Sequence, residues 1–302
     1  MKIAITGASG LLGSAFVQEI ASKGHAIKRI DRSALFLQSS RETALQLSGA
    51  NWLIHTAANT NVEQCETDID ACYRDNLILT DILVEAALRE SVPIVYISST
   101  GVYGARESVP YAEYHDAFPT THHHRAKFLS EQAVLRAGMG SLVIRTGWLF
   151  GGAVTNPKNF VARRIEEAIR ALLNREVLKS NEEQIGCPTY THDVVQQVMS
   201  LMASGHSGIF NCVNNGLASR FDYVTEIVRL AGIPIEVVPA AVSSNRIAKV
   251  SNNESAVNWR MSQLKFKSMP YWQDSLASYI NGLSIDSNGG RRNFADVRYR
   301  YM

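Results

Sequence analysis

The sequence predicts an α/β protein: a doubly wound parallel sheet followed by a smaller α/β lobe. Short apolar runs alternate with stretches of helical periodicity over the first 150 residues. After Gly151 that alternation loses its regularity, which marks a change of architecture. The chain has 302 residues, enough for one large or two closely joined domains with a full core.

The elements follow in order. Residues 2–6 are an apolar run that stops at Gly7, and from 11 to 24 Leu12, Phe16 and Ile20 recur at helical spacing, giving strand, tight turn and helix. Residues 25–30 read as a strand, 41–48 as a polar helix and 52–58 as a strand. A long helix over 71–89, a strand over 93–98, a helix over 121–138 and a strand over 141–145 complete the regular part. Such strands need helices on both faces of the sheet. Beyond it, 159–174 and 192–204 are helical, 208–213 is a strand, and 221–232 is a helix closed by Gly232 and Pro234. Residues 235–258 are polar and irregular, and 271–280 form a last amphipathic helix. The tail 284–302 is rich in Gly, Asn and Arg with interleaved aromatics; a mobile end and a partner-binding arm both fit it.

Composition excludes several classes of function. Hydrophobic residues make up 46% and charged residues 19%, which suits a compact globular protein. A formal net charge of +2 is too balanced for nucleic acid or an anionic membrane as the main partner. Cys65, Cys72, Cys187 and Cys212 form no C-x-x-C pair, so zinc and dithiol redox sites are not expected. No stretch is apolar enough to span a bilayer and no signal-peptide core follows Met1, which points to a cytoplasmic protein. The run His122-His123-His124 is no metal site either, because successive helical residues diverge around the axis.

The strongest motif is TGASGLLG. Gly7, Gly10 and Gly13 stand between the first strand and the first helix, where a side chain would keep a pyrophosphate from the backbone amides and from the helix N-terminus. An acidic residue, Asp31, follows about 20 residues on, placed to accept from the ribose hydroxyls of a bound adenosine. Its charge favours NAD over NADP, while Arg32 beside it offers a counter-charge to a 2′-phosphate. The sequence therefore leans to NAD and leaves NADP open.

TGASGLLG, HTAANTNVEQCE, Asn76, ISSTGVYG and an H-x-x-x-K where Y-x-x-x-K is usual together resemble the extended short-chain dehydrogenase/reductases. RTGWLFG, Asn159-Phe160, QIGCPT with Asp193, and PYWQDSL narrow the resemblance to the dTDP-4-dehydrorhamnose reductase branch, the RmlD substrate-binding domain family, over about residues 1–280. The resemblance implies a Rossmann-type domain over 1–150 with a return segment about 181–225, and a substrate-binding domain from 151–180 and 226–283. It implies NAD(P)-dependent reduction of a nucleotide-linked 4-keto-sugar, with hydride passing between nicotinamide and a sugar carbonyl carbon. Cofactor contacts would come from Gly7, Gly10, Leu11, Leu12 and Gly13, from Asp31 and Arg32, from the run His55, Thr56, Ala57 and Ala58, and from Asn76 and Lys127. On the substrate side it points to Thr100, Trp148, Asn159, Gln184 and Thr189, with Arg260 facing a diphosphate. A homodimer is left open.

Catalysis would fall to Ser99, which polarises the carbonyl, to Lys127, which grips the ribose, and to the residue one helical turn before Lys127. That residue is His123, not the family's Tyr. Phenol has a pKa of about 10 and imidazolium about 6.5. The nearby Lys charge lowers it further and leaves most of the His neutral at pH 7. The ring also reaches roughly 2 Å less far, a gap that a water can fill. Three readings stay open: His123 works as the acid, directly or through water, and gives a pH profile displaced to the acid side; it is a remnant in a non-catalytic, dinucleotide-binding partner subunit; or a tyrosine such as Tyr111 or Tyr114 takes its place. A nucleotide-sugar 4-epimerase is a further alternative. Dehydration chemistry lacks its carboxylates, because Ser99, Thr100 and Gly101 stand where the dehydratases carry Thr-Asp-Glu.

Overall fold

The structure, a computed structural model, describes residues 1–241 and 246–283. The tail 284–302 discussed above lies outside the described residues.

In chain order the regular elements begin β1 (Lys2–Thr6), α1 (Leu11–Ser22), β2 (Ala26–Ile30), α2 (Arg32–Leu35), α3 (Ser40–Leu47) and β3 (Trp52–His55). Next come α4 (Val62–Thr67), α5 (Ile69–Tyr73), a π-helical turn (Arg74–Ile78), α6 (Leu79–Glu90), β4 (Ile94–Ser99) and a 3₁₀ turn (Thr100–Tyr103). They are followed by α7 (His122–Arg136), β5 (Leu142–Thr146), β6 (Trp148–Phe150), α8 (Phe160–Asn174), β7 (Leu178–Asn181), β8 (Ile185–Gly186) and β9 (Pro188–Tyr190). The rest are α9 (Thr191–Ser204), β10 (Gly208–Cys212), β11 (Ala218–Ser219), α10 (Arg220–Leu230), β12 (Val237–Ala240), α11 (Trp259–Gln263) and α12 (Trp272–Leu283).

The expected parallel sheet is present: six strands in the order β10-β5-β4-β3-β1-β2, every pair parallel. Strand order reverses between β3 and β2 on either side of β1, so a crevice opens at the carboxyl end of β1. All five residues of β5 are buried, as a central parallel strand with both faces covered requires. On one face Leu12, Phe16 and Ile20 of α1 pack with Val194, Val198 and Leu201 of α9. Opposite them, Leu79 and Leu83 of α6 pack with Leu47 and Tyr96.

A second core gathers Val161 and Ile165 of α8, Tyr223, Val224 and Ile227 of α10, and Trp272 and Leu276 of α12. β6 joins the two cores by simple alternation: Leu149 packs toward the sheet, while Trp148 and Phe150 point into the second core.

Several elements differ from the sequence reading, and three of them show a tertiary reason. β3 ends at His55 rather than at 58, because the Thr56 hydroxyl donates to Thr6 O at 2.7 Å and pulls the chain off the sheet edge. The long helix expected over 71–89 is divided by the π turn at Arg74–Ile78, with Asn76 buried inside it. The irregular stretch 235–258 contains β12, which pairs in parallel with β7. Among the described residues no helix is long and apolar enough to cross a membrane.

Candidate active site

A cavity of about 830 Å³ lies along the carboxyl edge of the sheet. One end is formed by the β1–α1 turn. Gly7 has φ +67°, and a Cβ there would stand 2.6 Å from the Thr56 hydroxyl. At Gly13 a Cβ would stand 2.0 Å from Gly7 O, so the helix meets the turn only because residue 13 lacks a side chain. The first bond of α1 runs from Ser14 N–H to Gly10 O at 2.9 Å, which leaves the amides of residues 11–13 without a helical acceptor. No side chain caps this end and no acidic residue sits in its first turn. Gly7, Gly10, Leu11, Leu12 and Gly13 all line the cavity. An uncapped helix N-terminus behind a cradle that any Cβ would fill fits a dinucleotide pyrophosphate.

Arg29, Asp31 and Arg32 line the same cavity. Asp31 is turned into α2, where its carboxylate accepts from Ser33 N–H at 3.0 Å and from the Ser33 hydroxyl at 2.8 Å. These bonds hold its pKa below the ordinary carboxylate value.

Thr56, Ala57, Ala58 and Thr60 form the wall. His55 and Asn76 stand behind it. The buried His55 ring lies 2.8 Å from the Thr6 hydroxyl and 3.1 Å from that of Thr80, and burial, with Lys127 adding to it, drives its pKa down to about 3. Asn76 accepts from Asn59 N–H at 3.1 Å and donates to Asn59 O at 3.2 Å and Cys72 O at 3.0 Å. It reaches the cavity through the loop it pins.

The far end holds Ser99, His123 and Lys127. Ser99 ends β4 and starts the 3₁₀ turn, its hydroxyl accepting from Gly101 N–H at 3.1 Å. Thr121 caps α7 by accepting from His124 N–H at 3.2 Å, which sets the register that brings His123 and Lys127 to one face. The Lys127 ammonium donates to Ile97 O at 2.8 Å and keeps its other protons free for a ligand. Its nearest acid, Glu131, is claimed by Arg145 at 2.7 and 3.0 Å and by the Ser98 hydroxyl. Burial therefore lowers Lys127 to about 8 against the partial support of Glu131.

His123 is 5% exposed and its Nδ1 has no hydrogen-bond partner among the described residues. Burial first, then His124 and Lys127, hold its pKa well below the imidazole value, with the Asn59 backbone pulling weakly the other way. The ring is neutral at pH 7. Tyr111 is buried, stacked on Tyr103 and accepting from the amides of Arg106 and Glu107, while Tyr114 is 64% exposed; neither lines the cavity.

The residues expected on the substrate side scatter more widely, and none of them lines this cavity. Thr100 is buried in the 3₁₀ turn. Trp148 donates from Nε1 to Glu254 at 2.7 Å, on the second-core side of β6. Asn159 caps α8 and donates to Tyr279 at 2.6 Å and Ala153 O at 3.1 Å. Thr189 is fully buried, donating to Cys187 O at 2.9 Å, and Gln184 accepts from Arg220 Nε at 3.4 Å. Arg260 donates to Ser207 O and Ile209 O at the start of β10, the edge of the sheet opposite the cavity. Thr60, Thr146, Gly147 and Leu149 also line the cavity; they stand within the strings HTAANTNVEQCE and RTGWLFG without having been singled out, and Lys158 carried no signal in sequence. All four cysteines are buried and free, and no cluster of metal-ligating side chains occurs among the described residues.

Fold and cavity together define a Rossmann-type protein with a dinucleotide cradle. The chain matches the RmlD substrate binding domain family over residues 1–285 and belongs to that family. It is 24% identical over 281 residues to the spore coat polysaccharide biosynthesis protein SpsK of Bacillus subtilis, covering 92% of this chain and 96% of that one. Among solved structures it is similar to a dTDP-4-dehydrorhamnose reductase from Clostridium acetobutylicum, with TM-score 0.86, 28% identity, and 94% and 99% of the two chains covered. The dTDP-4-dehydrorhamnose reductase of Bacillus anthracis in complex with NADP gives TM-score 0.84 at 26% identity, covering 92% and 98%.

The turn geometry generates a contrast between two glycines. Gly13→Ala should destabilise the fold by about 1–3 kcal/mol and lose dinucleotide binding. Gly10→Ala, whose Cβ would meet only Gly7 O, at 3.2 Å, should disturb the fold less than Gly13→Ala and still lose affinity, because its methyl would stand where the pyrophosphate approaches. Melting curves and calorimetric titration with NADPH measure both; undiminished NADPH affinity in the two variants would remove the cradle.

Proposed function

We propose that the protein is an NAD(P)H-dependent reductase of a nucleotide-linked 4-keto-sugar. The observation that carries this reading is the alignment, in one cavity, of the glycine cradle with Ser99, His123 and Lys127. When bound, the reduced dinucleotide supplies a hydride to the carbonyl carbon. Residues 1–150 with about 181–225 hold the dinucleotide in this reading, and 151–180 with 226–283 hold the sugar nucleotide.

Ser99 donates a hydrogen bond from its hydroxyl to the carbonyl oxygen, polarising it, while accepting from Gly101 N–H, which fixes its orientation. Lys127 holds the nicotinamide-side ribose and keeps a positive charge beneath the developing alkoxide. His123, neutral at pH 7, gives the alkoxide an N–H hydrogen bond, directly or across one water. With a pKa near 8, Lys127 is the matched proton reservoir, and its proton reaches the oxygen through the imidazole or the water. At the adenosine end, Arg29 and Arg32 offer two cations beside a carboxylate already engaged by Ser33, so NADPH is accepted alongside NADH.

The second reading is a dinucleotide-binding subunit without turnover, favoured by the unpartnered, buried Nδ1 of His123. Oxidation of NADPH and NADH against a panel of dTDP-, UDP- and GDP-linked 4-keto-sugars separates the two. The reductase reading expects turnover in the parent that falls at least tenfold in His123→Ala. Turnover that appears only in His123→Tyr would establish the other reading.

Because His123 titrates far below neutrality and Lys127 near 8, kcat/KM should be flat from pH 6 to about 7.5 and fall above about 8 as Lys127 loses its proton. This replaces the acid-displaced profile that an imidazolium donor implies. A limb near pH 6.5 that vanishes in His123→Gln would contradict the assignment of the proton to Lys127.

A further inference from the structure

Beyond the Ser99 end, the cavity meets a second polar surface through β6. Gly147 and Leu149 line the cavity, and Trp148 between them faces the other way. Arg220 lies flat on that indole, its Cζ 3.4 Å from the ring centre, and its Nε donates to Gln184 Oε1 at 3.4 Å. Phe160 stands 5.3 Å away on the same guanidinium.

The electrostatics of this position are unfavourable without a ligand. Arg220 is the first residue of α10, where the helix dipole repels a cation. Arg164 and Arg246 lie near enough to repel it further, and burial with their help lowers its pKa to about 10, still fully charged at neutrality. Arg164 pairs with Glu167 and Arg246 with Glu63, whereas Arg220 makes no carboxylate contact among the described residues. The acid that favours its charge most, Glu254, directs Oε2 to the Trp148 indole N–H instead. A part-buried guanidinium held flat by an aromatic ring and aimed by one amide, with its two terminal nitrogens uncommitted among the described residues, matches the fork geometry of phosphate recognition.

We infer that Arg220, stacked on Trp148 and oriented by Gln184, holds the diphosphate of the nucleotide-linked substrate. The inference rests on the reductase reading for the identity of its ligand and assigns to Arg220 the contact that the sequence placed at Arg260. Arg260 is engaged by two carbonyls at the opposite edge of the sheet.

The test is calorimetric titration of the full chain, saturated with NADPH so that the cofactor cradle is filled, with dTDP, UDP, inorganic pyrophosphate and the two unphosphorylated nucleosides. At least one nucleoside diphosphate should bind far more tightly than its nucleoside. Arg220→Met, which keeps an apolar stem on Trp148, should weaken it roughly ten- to hundredfold, Arg220→Lys should recover part of the loss, and NADPH affinity and melting temperature should stay unchanged. Equal affinity of parent and Arg220→Met, or no preference for a diphosphate over its nucleoside, would overturn the inference. Arg220-dependent binding in a chain that reduces no keto-sugar would leave the inference standing and remove the reductase reading instead.

Discussion

A buried ammonium sets the electrostatics of the cavity. Lys127 is almost fully enclosed, hydrogen-bonded to Ile97 O, and its natural counter-ion one turn along the helix is already bidentate with Arg145. A charge only partly compensated in such a place acts on its titratable neighbours. It reinforces burial in keeping His55 and His123 neutral, and it brings the lysine's own pKa into the working range of an enzyme. The replacement of a phenol by an imidazole at position 123 is thus more than a change of donor. In the reductase reading it moves the transferable proton from position 123 to the lysine behind it.

β6 is the second organising feature, because three residues serve two cores. Its alternation sends Leu149 to the sheet and Trp148 to the lobe, so the Ser99 end of the cavity and the Arg220 platform are two faces of one strand. Gly186 is required beneath that strand, since a Cβ there would stand 2.4 Å from the Trp148 ring. A side chain at 186 would tilt the indole and, with it, the guanidinium it supports.

Much of this architecture was legible in the sequence because it is written in local patterns. The apolar run of β1, the Leu12, Phe16 and Ile20 stripe of α1, and the three glycines between them determine each other within a few residues, and the four-residue step from His123 to Lys127 needs only a helix. What was not legible depends on partners far away in the chain. β3 ends early because of Thr6, some 50 residues upstream, and Asn76 interrupts a helix to hold Asn59. Strands of two or three residues such as β8 and β9 are too short to show a period, yet β8 with β11 brings Gln184 to Arg220. The same limit explains the arginines: Arg260 carried the family string while Arg220 carried only a helix start, and the contacts that separate them, two carbonyls beside β10 for Arg260 and Trp148 with Gln184 for Arg220, come from distant parts of the chain.

The protonation state of His123 is the most direct measure of the account. In ¹⁵N-histidine-labelled protein, the ring nitrogens of His123, assigned by comparison with His123→Gln, should keep the pattern of a neutral imidazole from pH 8 to below pH 6. In Lys127→Met the same ring should titrate at a higher pH than in the parent. A ring that becomes imidazolium at or above pH 6.5 in the parent, or one whose titration is indifferent to loss of the ammonium, would contradict it.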